Sequence, residues 1–134
     1  MRFIIMGMTT KEGEAGPPPK PEAFAAMQQY NEAAAKAGIL LAAEGLSPRS
    51  KGARVKVSGD KCTVIDGPFI ESKELVAGFT IIRAKSLEEA IEWVKGAPNV
   101  HPNGEAVIEI RKLMDVEDFG EGFTPNEEIA KVKF

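Results

Sequence analysis

ELVAGFTIIRA, residues 74–84, carries no charge between Glu74 and Arg83. A strand with one face in water alternates apolar and polar residues. This one does not, so it predicts a strand buried on both faces. That reading decides the fold, because something must then cover each face of the sheet that holds it.

Working upstream, ARVKV (53–57) alternates apolar and basic residues, as a half-exposed strand does. Ser58-Gly59-Asp60 makes a tight turn and KCTVI returns, so 53–65 predicts a hairpin. ILLAAEGL (39–46) predicts a strand, turned by SPRSKG. Residues 21–37 predict a helix. Pro21 suits its first turn, Glu22 its positive end and Gly38 its stop. Phe24, Met27, Tyr30 and Ala34 recur at helical spacing and predict one core-facing stripe. RFIIMGM (2–8) predicts a buried strand. Between them, TTKEGEAGPPPKP predicts a loop centred on residues 11–21, stiffened by Pro17-Pro18-Pro19 as a spacer or as a docking segment for a proline-binding domain.

Working downstream, Ser86 and Glu89 have the spacing of a capping box. A helix through Lys95 follows, with Leu87, Ala90, Ile91 and Val94 as its apolar face, stopped by Gly96 and Pro98. EAVIEIRKL (105–113) predicts the last strand, with Ala106, Ile108 and Ile110 on one side and Glu105, Val107, Glu109 and Arg111 on the other. Residues 115–134 begin acidic and scatter Val116, Phe119, Phe123, Ile129, Val132 and Phe134. They read as a tail that packs on its own subunit or a partner.

The order strand, helix, strand, hairpin, strand, helix, strand is an α+β, ferredoxin-like split βαβ sandwich with an inserted hairpin strand, spanning residues 1–114. Two helices cover one face of such a sheet. A second copy of the chain is the simplest cover for the other, which predicts a homodimer with two sheets face to face, a dimeric α+β barrel.

The totals agree with one ordinary globular domain: 134 residues, 43% hydrophobic and 28% charged. A net charge of −3 gives no general attraction to nucleic acid or anionic membrane. The basic stretch SPRSKGARVKVSGDK lacks interleaved aromatics and reads as a solvated hairpin, so no nucleic-acid partner is expected. MRFIIMGM is too short an apolar run for a signal peptide, and no stretch is long enough to span a membrane. Cys62 is the single cysteine, which excludes an internal disulfide. A reducing, cytoplasmic location is expected.

VIDGPFIESKE (64–74) carries a second signal. Asp66, Gly67, Pro68, Phe69, Glu71, Lys73, Glu74, Gly78 and Phe79 fit the run D-G-P-F-x-E-x-K-E-x-x-x-G-F. In this they resemble the DGPF branch of the YCII-related family. AAEGLSP before the run and EIRKL after it also resemble that family's flanks, and the likeness covers residues 1–113. It implies a ferredoxin-like dimeric α+β barrel, and it implies a fold more than a reaction. The family's founding branch shares a His near the first helix and an Asp in an Asp-Pro near the last. Here the first helix has no His and the late dipeptide is Ala97-Pro98, so that acid–base pair is not carried over.

Several residues can carry chemistry, each against a structural alternative. Asp66 either shapes the Gly-Pro turn through backbone N–H bonds or acts as a base or binding carboxylate in a cleft. Phe69, Glu71 and Lys73 form either a solvated loop or a ligand-binding wall, with Lys73 on an anion or paired with Asp66. Glu109 and Arg111 point away from the helices, where they pair with each other, with Lys56 or Arg54, or with a ligand's carboxylate or phosphate. Glu44 has the same ambiguity. His101, the single histidine, sits in a loop and would need Asp66 or Glu71 beside it to move protons. Cys62 reads as a small strand residue. No metal-ligand spacing and no phosphate-binding glycine loop is present, and no cofactor is expected.

Three functions follow. The first is a small dimeric barrel that binds a small molecule, anionic if Arg111 engages it, near the DGPF loop. The second is a cofactor-free lyase- or isomerase-type enzyme using Asp66 and His101. The third is an interaction module docking through the tail and the Pro-rich loop.

Overall fold

The computed structural model describes residues 1–66, 75–99, 105–122, 124 and 126–132, excluding the side chains of Lys11 and Asp66. The chain is mixed α+β with antiparallel sheets. Its elements are β1 (Arg2–Thr9), α1 (Lys11–Ala15), α2 (Pro21–Lys36), β2 (Leu40–Gly45), β3 (Ala53–Ser58), β4 (Lys61–Asp66), β5 (Leu75–Arg83), α3 (Leu87–Lys95), β6 (Val107–Lys112) and α4 (Glu127–Ala130). One turn of 3-10 helix spans Arg49–Lys51 and another Val116–Phe119.

The main sheet has the order β2-β5-β1-β6, every neighbouring pair antiparallel. β5 lies between β1 and β2, and β1 lies between β5 and β6. The β1-α2-β2 and β5-α3-β6 halves therefore interleave. The hairpin does not insert into this sheet. Among the described residues, β3 and β4 pair only with each other, from Ala53 opposite Asp66 to Ser58 opposite Lys61. The expected hairpin thus exists, but as a separate two-stranded ribbon.

Strand alternation sorts the main sheet into two faces. Phe3 and Ile5 of β1, Ile82 and Thr80 of β5, Leu40 of β2 and Ile110 of β6 share one face by register. The core sits there: Phe3, Ile82, Ala84 and Ala90 are buried, with Ile5, Ile39, Leu40, Trp93 and Ile110 packed against them.

α2 ends as its sequence predicts. Gly38 takes φ 74°, its N–H donates to the Ala35 carbonyl at 3.1 Å, and the Ile39 N–H donates to the Ala34 carbonyl at 2.9 Å. This pair of bonds satisfies the last carbonyls of the helix. The expected core stripe holds only in part. Ala34 is buried, Met27 and Tyr30 are half-buried, but Phe24 is 58% exposed. On the core side, the row at the Thr9 end of the sheet is Gly45, Gly78, Gly7 and Ile108.

α3 is capped by Ser86, whose hydroxyl accepts the Glu89 N–H at 3.1 Å. The Glu89 carboxylate accepts from the Lys85 N–H at 3.2 Å, one residue before the expected partner. Ala90 faces the core with Trp93, while Leu87 is 44% exposed. Trp93 also receives α2: its ring lies 5.4 Å from that of Tyr30, and the Tyr30 hydroxyl donates to its carbonyl oxygen. Burial pushes the Tyr30 phenol up to about 12. A raised folded-state value means the native protein holds this proton when the unfolded chain, near 10, has lost it. Stability from this group is therefore full below pH 10 and is lost as pH rises from 10 through about 12. Tyr30→Phe should flatten that part of the alkaline stability curve, and remove about 1 kcal/mol at neutral pH with the hydrogen bond. Chemical denaturation at pH 7, 10 and 11.5 tests both parts. An unchanged alkaline slope in the variant would refute the first.

The segment read as a loop begins with the short helix α1. The Thr10 hydroxyl accepts from the Gly13 N–H at 3.1 Å. Glu14 then receives Arg49: Nε donates at 2.8 Å and the Arg49 backbone N–H at 3.2 Å. Both side chains are largely covered, and the Arg49 guanidinium holds the Glu14 carboxyl below its usual range. This two-point clasp fixes α1 to the turn before the hairpin, a contact between residues 35 apart that no local pattern encodes. At the other end of the chain, Asp115 and Asp118 anchor the tail. Arg2 reaches Asp115 at 3.5 Å and Lys112 reaches Asp118 at 2.9 Å. The Asp115 N–H and then Lys112 hold the Asp118 carboxyl below its usual range.

Candidate functional site

The sheet face turned away from the core carries Glu44, Glu109 and Arg111. Its cross-strand rows follow from register. The central rows are Ala42–Ile81–Ile4–Arg111 and Glu44–Phe79–Met6–Glu109. Arg83–Arg2 lies beyond the first, and Val76–Met8–Val107 beyond the second. Ile81 is 5% exposed, while Ile4, Met6, Met8, Phe79 and Val76 are half-buried. The apolar block therefore sits mid-sheet, and the charges rim it on the edge strands β2 and β6 and at the Arg2 end.

Expected site residues fall into two groups. Glu44, Glu109 and Arg111 are on this face and exposed. Register does not bring them all together. Glu109 and Arg111 are two apart on one strand, but Glu44 is three strand spacings from Glu109, roughly 14 Å. One small molecule on a single sheet cannot touch both edges. Among the described residues, no ion pair involves Glu44, Glu109 or Arg111. Asp66 ends β4, opposite Ala53, and its side chain lies outside the described residues. Phe69, Glu71, Lys73 and His101 also lie outside them. The segment holding Phe69, Glu71 and Lys73 rejoins the sheet at Leu75, opposite Thr9.

Arg2 and Arg83 were not singled out from sequence. They face each other across β1 and β5, one row from Arg111. The available signal was alternation: Arg2, Ile4, Met6 and Met8 share one parity. The face is thus polar along the strands, with arginines towards one end and the two glutamates one row further in. The other concavity of note is a shallow, open hollow lined by Gln28, Asn31, Glu32, Ala35 and Leu40, and none of the expected site residues lines it. Among the described residues, no group of three or more His, Cys, Asp and Glu side chains is placed to hold a metal. No helix among them is long and apolar enough to cross a membrane.

Comparison with known proteins bears on the family of this chain. An uncharacterised protein of Rhizobium meliloti (strain 1021) is 35% identical over 68 residues, which are 51% of this chain and 55% of that protein. The chain thus spans about half the length of the curated relative it matches. Residues 1–117 match the YCII-related domain, which covers every strand and helix of the main sheet and the hairpin. The chain belongs to the YCII-related family.

Proposed function

We propose that two copies of this chain stack their charged sheet faces into a ferredoxin-like dimeric α+β barrel that binds a small anionic molecule at each end. The observation that supports it is the half-buried block of Ile4, Met6, Met8, Phe79 and Val76, rimmed by Glu44, Glu109 and Arg111, which form no ion pair among the described residues. A second sheet about 10 Å away completes the burial of those side chains.

Charge sets the direction of stacking. If the facing strands ran the same way, glutamate rows would lie over glutamate rows. If they run oppositely, about a two-fold axis across the strands, Arg111 of one copy meets the partner subunit's Glu109, and the reverse. Charges taken out of water require such pairing. This direction also brings the partner subunit's Arg83 over the row of Val76 and Met8. An anion there has a cation from one copy and the start of β5 from the other.

Light scattering tests the dimer. Wild type should weigh twice 14.4 kDa at micromolar concentration, and Phe79→Asp should weigh 14.4 kDa. Phe79 is half-buried, so the protomer should stay folded by circular dichroism. A thermal-shift series with phosphate and short dicarboxylates then tests the ligand. At about ten times Kd the gain is about 1.4 kcal/mol, or about 5 °C. Arg83→Gln should lose that shift. A monomeric wild type refutes the barrel, and equal shifts in the variant refute the anion site.

A further inference from the structure

Antiparallel stacking sets the rows of one sheet face against the rows of the other, and the central rows match. Arg111 lies over the partner subunit's Glu109, Ile4 over the partner subunit's Met6 and Ile81 over the partner subunit's Phe79. Charge meets charge there, and apolar meets apolar. One row further out the match fails. Arg83 and Arg2 stand side by side in that row, and over them lie the partner subunit's Val76 and Met8. Cations thus face apolar side chains, once at each end of the barrel.

The protomer itself leaves both halves of this mismatch open. Arg2 shares its charge with Asp115 at 3.5 Å. Arg83 is exposed and forms no ion pair among the described residues. Val76 and Met8 are half-buried. The sheet departs from regular pairing to place Val76 in this row. Continued from Met6 opposite Phe79 and Gly7 opposite Gly78, a regular ladder would set Ala77 opposite Met8. The register shift between Gly7 and Met8 sets the larger Val76 there instead. A bulge of this kind re-aims a side chain, and bulges are over-represented beside functional sites.

The chemistry of the row selects its guest. An inorganic anion satisfies Arg83 and leaves Val76 and Met8 in water. A neutral apolar guest covers Val76 and Met8 but shuts a guanidinium away from water without a counter-charge, which is costly. A guest that is anionic on one side and apolar on the other completes both.

We propose that each end of the barrel takes an organic anion with a charged head and an apolar body, the head on Arg83 of one copy and the body on Val76 and Met8 of the other. This rests on the face-to-face dimer and the anion site proposed above, and it names the class of ligand. The probes are straight-chain carboxylates from acetate to hexanoate, titrated by calorimetry against the full chain, with light scattering on the same samples. Kd should fall about fourfold for each methylene that reaches the row. Alkyl phosphates should give the same slope, because it belongs to the chain and not to the head. Arg83→Gln should weaken every carboxylate alike and keep the slope. Val76→Thr/Met8→Gln should keep acetate binding and lose the slope. Its replacements are close in size to the originals, so circular dichroism should be unchanged. The two variants are then refolded together. A mixed dimer has an intact arginine facing an intact row at one end only, so that end should bind hexanoate as wild type does.

A refolded mixture that binds hexanoate no better than its parents overturns this inference. So does a Kd independent of chain length in a dimer that binds phosphate or dicarboxylates; the anion site then stands, and the arginine stems themselves cover the row. A dimer that binds none of these anions overturns the inference and the anion site together. A monomeric wild type overturns the barrel as well.

Discussion

Phe3→Ala is expected to remove about 4 kcal/mol of unfolding free energy. Phe3 is 2% exposed and stands in the middle of the core, opposite Ile82 on β5 and Lys112 on β6, beneath Ala84 and Ala90. Two of the surrounding core residues are alanines, already close to the backbone, so they cannot extend into the space a lost ring leaves. The cost is then the transfer free energy of the ring plus an unrelaxed cavity. Domains of this size hold about 5–15 kcal/mol in total, so the variant keeps only a fraction of its margin. In urea the midpoint should fall by about 2 M, for a slope of about 2 kcal/mol per molar. Protein concentration must be matched, because dimerisation contributes to apparent stability. Phe3→Leu, which refills most of the volume, should lose clearly less. A loss below about 1 kcal/mol for the alanine variant would mean that Phe3 is not at the centre of the core.

Gly78→Val is expected to cost about 2–3 kcal/mol, by overpacking rather than by conformational strain. A Cβ at Gly78 would lie 2.9 Å from the Glu44 carbonyl oxygen and 3.3 Å from Gly45 Cα. Both are backbone atoms of the neighbouring strand, so β2 itself must move. Gly7, its row neighbour, is the control. A Cβ there comes no closer than 4.0 Å to the Gly78 carbonyl oxygen, so Gly7→Ala should change stability little. The displaced strand also carries Glu44, opposite Phe79, so Gly78→Val should weaken any dimer formed through that face. Urea unfolding of the two glycine variants tests the difference. Equal losses would show that β2 accommodates the methyl groups freely.

The candidate site was partly legible in sequence. Glu109 and Arg111 alternate with Ile108 and Ile110, and a period of two places them on the opposite face whatever the strand pairs with. Arg2 and Arg83 were not legible as members of that face, because their adjacency depends on β1 pairing with β5 across some 80 residues. The distance between Glu44 and Glu109 was equally hidden, since only strand order sets it. Phe24 went the other way. Its helical spacing said core, yet it is 58% exposed, because spacing fixes which residues share a helix face and not how far the sheet beneath extends.

Local pattern by itself determined the strands, the two long helices, the Ser86 cap, the Gly38 stop and the hairpin turn. Each depends on residues within a few positions of one another, where backbone dihedrals, side-chain period and neighbouring hydrogen bonds decide the outcome. The tertiary structure alone decided the order β2-β5-β1-β6, the separation of the hairpin from the main sheet, the clasp of Glu14 by Arg49, the stacking of Tyr30 on Trp93 and the alignment of charges into rows. Those are contacts between distant residues. They are selected by which pairing buries the most apolar surface while leaving backbone groups bonded, and no window of the chain contains that comparison.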